Sequence, residues 1–174
     1  MLRFITAGAT LVLGLSFSAA ALAQALVSAE NPARLAEIVQ KLGFQAKVDR
    51  DDVGDPVIYS SSSGFDFTIY FYDCTDNERC KSLHFTAGYD LPKGTALETV
   101  QQWNADKRFA SSYLDHENDP FLQMDVNTAG GITEKNFEEW LDLWQSLKGE
   151  FEGYIGIRGK PQRVSSAEGQ TRGA

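Results

Sequence analysis

The run FDFTIYFYD at residues 65–73 constrains the chain most. Phe65, Phe67, Ile69 and Phe71 fall on one side of an extended backbone. Asp66, Thr68, Tyr70 and Tyr72 fall on the other. Period-two alternation of aromatic and β-branched residues fits a strand in a sheet with one core face. The run KSLHFTAGY repeats the pattern: Leu83, Phe85, Ala87 and Tyr89 alternate with Ser82, His84, Thr86 and Gly88. The connection DCTDNERCK joins them as an antiparallel pair. Strands are also expected at Phe44–Val48 and Val57–Ser60, joined by the acidic turn DRDDVGDP and by SSSG. Together these give two meander hairpins.

Helices are expected before, between and after the strands. Asn31 and Pro32 open the first, since Asn is a good N-cap and Pro fits the first turn. Leu35, Ile38, Val39 and Leu42 form its apolar stripe, and Gly43 ends it. Thr95 and Glu98 form a capping box for a second helix reaching about Lys107, with Leu97, Val100 and Trp103 inward. RFASSYLDH and PFLQMDV form a further strand pair, joined at Asn118-Asp119-Pro120. Phe109, Ser111 and Tyr113 share a face of the first, and Leu122, Met124 and Val126 the inward face of the second. Thr133 caps a third helix whose wide aromatic stripe holds Phe137, Trp140, Leu141, Trp144, Leu147 and Phe151. The fold class is α+β, an antiparallel sheet covered by helices in the order α-β-β-β-β-α-β-β-α.

The chain of 174 residues divides into three parts. Residues 1–23 read as a cleavable signal peptide: a single early base at Arg3, an apolar stretch, and Ala21-Leu22-Ala23 before Gln24. An uncleaved anchor would need a longer span and a basic flank, so no membrane span is expected after cleavage. The protein is then periplasmic or secreted. Residues 24–155 form the folded domain. From Gly156 the chain is rich in Gly and Ser without periodicity and reads as a disordered basic tail.

Export decides the reading of Cys74 and Cys80. Outside the cytosol two nearby cysteines form a disulfide, worth about 2 kcal/mol for so short a loop. A redox pair would carry two intervening residues where five stand here, and a tetrahedral metal site would need four ligands. With 24 acids against 16 bases, net charge −8, no basic face offers itself to nucleic acid. Asp49, Asp51 and Gly54 sit at calcium-loop spacing, but Val53 and Ser60 stand where oxygen ligands belong. No nucleophile motif or phosphate-cradling glycine pattern occurs. His84 and His116 read as surface residues. No catalytic residue, metal or cofactor is expected. Tyr70 and Tyr72 remain on the outer side of the central strand, either packed beneath a helix or forming a binding or dimer face.

The element order, with QQWNADKRFASSYLD and GGITEKNFEEWLDLWQSL in view, resembles the YbjN family of bacterial sensory transduction regulators. The residues that carry the resemblance are Trp103-Asn104, Phe109, Tyr113, and Gly131-Ile132-Thr133, over roughly residues 31–154. The resemblance implies a fold like that of type III secretion chaperones, which often dimerise and hold an extended client segment. It implies a non-enzymatic binding or regulatory module with a protein or peptide partner, and a homodimer. It also implies structural jobs: Trp103 wedges the middle helix against the sheet, Asn104 caps that helix or ties the next turn, and Tyr113 packs with its hydroxyl on backbone. A structural envelope protein without a specific client is the alternative. A hydrolase of unfamiliar type would need His84 or His116 in a cleft, within reach of an acid.

Overall fold

The computed structural model describes residues 25–157. The expected signal peptide and the chain beyond residue 157 lie outside the described residues. The elements run β1 (Leu26–Val27), α1 (Pro32–Lys41), β2 (Gln45–Arg50), β3 (Pro56–Ser62), β4 (Phe65–Tyr72), β5 (Ser82–Gly88), α2 (Leu97–Asp106), β6 (Ser111–Leu114), β7 (Pro120–Asn127), β8 (Ile132–Thr133) and α3 (Glu134–Tyr154). β2 to β7 form one antiparallel sheet in the order β2-β3-β4-β5-β7-β6, and β1 pairs with β8 in a separate two-stranded ribbon. The α+β class and the expected sequence of helices and longer strands hold. The ribbon is additional: two residues per strand are too few for a periodic signal.

The alternation of β4 sorts the sheet into two faces. Phe65, Phe67, Ile69 and Phe71 are buried with Leu83, Phe85, Leu122, Met124 and Val126 in one core. α3 covers that core, its Trp144 ring lying 6.2 Å from Phe67 and 5.7 Å from Phe85. Leu35, Ile38 and Val39 of α1 and Trp103 of α2 join the same cluster. The three helices therefore share one face.

Local signals explain most of the helix boundaries. Asn31 accepts from the Arg34 backbone N–H at 3.1 Å, and Thr133 from that of Asn136 at 3.1 Å. Gly43 takes φ +91° after α1. The capping box expected at Thr95 and Glu98 does not form. α2 begins after Ala96 without a side-chain cap, because the Thr95 N–H is drawn to the Asn118 carbonyl at 2.8 Å. Leu97, expected inward, is exposed as a result. Phe109 lies outside the strand expected for it, in the left-handed region (φ +70°) before β6. The fold also runs past residue 155. Ile157 is buried in the core and donates its N–H to the Glu152 carbonyl at 2.9 Å.

The two acidic hairpin turns share one geometry. Asp51 accepts through Oδ1 from the N–H groups of Val53 and Asp55, as Asp115 does from those of Glu117 and Asp119. The last acid of each turn holds a neighbouring loop: Asp55 accepts from Asn77 at 2.8 Å, and Asp119 from the Leu91 N–H at 2.8 Å. The Asp51 oxygen that suggested calcium is thus engaged by backbone, and Arg50 donates to the Gly54 carbonyl at 2.5 Å.

Candidate functional site

The face of the sheet away from the helices carries the chemistry that the core does not absorb. In register across it lie Asp49, Val57, Tyr70, His84 and Asp125, and next to them Lys47, Tyr59, Thr68, Thr86 and Gln123. A third row brings Gly88 against Phe121 and Phe121 against Tyr113. Tyr70 and Tyr72 are half-buried, and Tyr59 is 44% exposed. Among the described residues no helix covers Tyr70 or Tyr72. They are part-shielded by their neighbours on the same face.

Gly88 shapes one end. A Cβ there would lie 2.4 Å from the Phe121 ring, so only glycine lets that ring lie flat across the strand. Tyr113 stacks on Phe121 at 5.1 Å with 15° between planes. Burial pushes the Tyr113 phenol up to about 12, with the adjacent Thr86 hydroxyl opposing the rise. Burial also raises the Tyr70 phenol, helped by Tyr59, Tyr72, Asp51 and Asp52 nearby.

His84 is the polar centre. Its side chain is only 9% exposed, whereas that of Asp125 is 77% exposed. The sequence placed His84 on the polar face and so at the surface. The neighbouring rings bury it instead, Tyr72 meeting the imidazole edge-on at 5.7 Å. Nδ1 lies 2.8 Å from Asp125 Oδ1. An ionised carboxylate only accepts, so Nδ1–H donates to it; in the neutral form of the ring Nε2 is then an acceptor. Nε2 is buried and has no hydrogen-bond partner among the described residues. His84 thus has an acid within hydrogen-bond reach. His116 is 84% exposed, with Glu117 at 4.0 Å. No group of three His, Cys, Asp or Glu suited to a metal ion occurs among the described residues.

The other singled-out residues lie elsewhere. Cys74 and Cys80 are bonded to each other. They close a loop whose Asn77 donates to the Val53 carbonyl (3.0 Å) and to Asp55, fastening the β4–β5 end to the β2–β3 turn. Trp103 is buried, donating Nε1–H to the Ala110 carbonyl at 3.3 Å. Its ring meets Phe151 at 4.9 Å, so it wedges α2 against α3 and not only against the sheet. Asn104 reaches past the next turn to the edge strand. Its Nδ2 donates to the Ser112 carbonyl at 2.9 Å, and its Oδ1 accepts from the Ser112 N–H at 2.7 Å. Phe109 is 54% exposed, edge-on to Trp140 at 5.9 Å. Tyr113 meets the Thr86 side chain where a backbone partner was expected. Gly131, at φ +86°, gives Leu26 of the ribbon room to approach, and Thr133 pairs with Leu26.

Sequence reasoning missed the His84–Asp125 pair. Each residue sits at a polar position of an alternating strand, which is the signal. Their meeting depends on β5 pairing with β7 across an intervening helix and strand.

A family model described as "Putative bacterial sensory transduction regulator" (YbjN) matches residues 31–155. No curated protein matches the chain. Among solved structures the chain is similar to YbjN, "a putative transcription regulator from E. coli", with TM-score 0.52 and 16% identity, covering 77% of this chain and 93% of that one. It is also similar to the Yersinia pestis type III secretion chaperone SycH in complex with a stable fragment of YscM2, with TM-score 0.41 and 14% identity, covering 71% of this chain and 97% of that one. The first likeness concerns the fold alone, and the second is too loose to argue from.

Proposed function

The chain belongs to the YbjN family, and we propose on that footing that it is an exported, non-enzymatic binding or regulatory module that takes a protein or peptide on the open face of its sheet. The observation that carries this reading is the one-sided sheet. The three helices of the described residues pack on one face, while Tyr59, Tyr70, Tyr72 and Tyr113 stand on the other. Tyrosine suits a binding face because its ring is apolar and its hydroxyl polar.

The sheet edges support the choice of face over edge. An open edge strand invites pairing with another chain. Here β2 has its Ala46 carbonyl met by Gln40 Nε2 at 2.8 Å, and β6 has Ser112 met at both backbone groups by Asn104. Each guarding amide comes from a helix and occupies backbone groups that an added strand would need. The Cys74–Cys80 disulfide supports a working place outside a reducing cytosol.

A photo-crosslinking residue placed at Tyr70 tests the reading in cells. It is expected to capture a protein partner or a second copy, while the same residue at Glu139, an exposed position on α3, captures neither. Equal capture at both positions, or at Glu139 alone, contradicts the reading.

A further inference from the structure

Three independent features of the open face ask for the same chemistry. The first is His84 Nε2, buried and without a hydrogen-bond partner among the described residues, an acceptor in the neutral ring, on a side chain nine-tenths buried. The second is the group of Tyr70, Tyr72 and Tyr113, half-buried with tyrosine ring faces of the kind that attract cations. The third is charge. Asp66 and Asp125 project from the face, Asp51 and Asp52 act on Tyr70, and Asp115 acts on Tyr113. The lysine on this face, Lys47, is already paired with Asp49 at 2.6 Å.

We propose that the occupant of the open face is an extended, cationic segment of a partner protein, with lysine or arginine side chains lying over the tyrosine rings and donating an N–H to His84 Nε2. This deepens the open-face reading and rests on it. A neutral segment could donate to His84 Nε2 but would leave the negative charge of Asp66 and Asp125 unbalanced, and an acidic one would be repelled by it. Opposite charge steers encounter and excludes wrong partners. The Tyr72 ring packs beside the imidazole, the two planes 73° apart. Asp125 fixes the tautomer that keeps Nε2 an acceptor. It is a positioning residue as well as a member of the acidic rim.

The test is calorimetric titration of the protein at near-physiological salt with three extended peptides alternating Ser with Arg, Gln or Glu. The Arg peptide is expected to bind at least tenfold tighter than the Gln peptide, and the Glu peptide not at all. Tyr70→Leu and Asp125→Asn should each weaken the Arg peptide at least fivefold. In the unsubstituted protein the His84 ring resonances should shift on binding, a readout independent of whether either variant folds. Equal binding of the Arg and Gln peptides with the same dependence on Tyr70 overturns the cationic segment and leaves the open-face reading standing. Arg binding that ignores both substitutions and leaves His84 unshifted is general attraction to an acidic body, and overturns the inference and the reading together. Failure of every peptide to bind overturns the inference. The chain itself carries Arg158, Lys160, Arg163 and Arg172. A tenfold gain in Arg-peptide affinity on changing those four to Gln would make the chain's own segment the occupant and overturn a partner's.

Discussion

Trp103 and Tyr113 stand for two kinds of residue in this molecule. Trp103 is buried between α2 and α3 with its N–H satisfied. Trp103→Ala should therefore cost about 3–5 kcal/mol by leaving a cavity. A denaturant midpoint little changed by it would refute that placement. Tyr113 is half-buried, and its phenol is raised to about 12. A raised phenol favours the neutral form in the fold. The stability it lends is whole below the unfolded value near 10 and is lost as pH rises through about 12. Tyr113→Phe should flatten the loss of stability over that window, and denaturant midpoints at pH 9 and 11 read it. Caps such as Asn31 and Thr133 were legible because their bonds close within three residues. Thr95 was misread because its backbone answers to Asn118, remote in sequence and near in space. His84 was misread for the same reason: its burial comes from neighbouring strands.

The longer strands were legible because a one-sided core imposes strict alternation, as β4 and β7 display. The two-residue strands β1 and β8 were not, since so short a segment has no period. α3 carries a feature its amphipathic stripe conceals. Lys148 and Glu152 are both buried on its core side, 2.7 Å apart, with Tyr89 donating to Glu152 at 3.2 Å. The Lys148 ammonium lies 5.3 Å above the Phe65 ring and 3.5 Å from the Ser62 carbonyl. Ser62 donates in turn to Gln145. Their charge suggests an outward place, yet at four and eight residues past Trp144 they share its core face. A helix wide enough to span the sheet brings them inside, where they must pair. Breaking a buried pair leaves one charge without compensation, so Lys148→Met alone should cost about 3–5 kcal/mol. Adding Glu152→Leu should recover more than half of that in the same unfolding assay. A single substitution costing under about 1 kcal/mol would mean that water reaches the pair.

For the whole molecule, composition gave class and sign of charge, and alternation gave a sheet with two unlike faces. What neither could give was that every helix among the described residues chooses the same face. That follows from the order in which β7 inserts beside β5 and carries α3 back over Phe67 and Phe85. Among the described residues the outer face is left to side chains alone, with Gln40 and Asn104 bonded to its edge strands. A fold built this way holds Tyr59, Tyr70 and Tyr72 on a rigid support without committing them to the core. The most direct measurement is oxidative footprinting of the tyrosines in the purified protein and in intact cells. The account predicts that Tyr59, Tyr70 and Tyr72 are oxidised in the purified protein and protected in cells, with Tyr89 protected in both. Tyr70 and Tyr72 protected in the purified monomer, or oxidised equally in both settings, would contradict it.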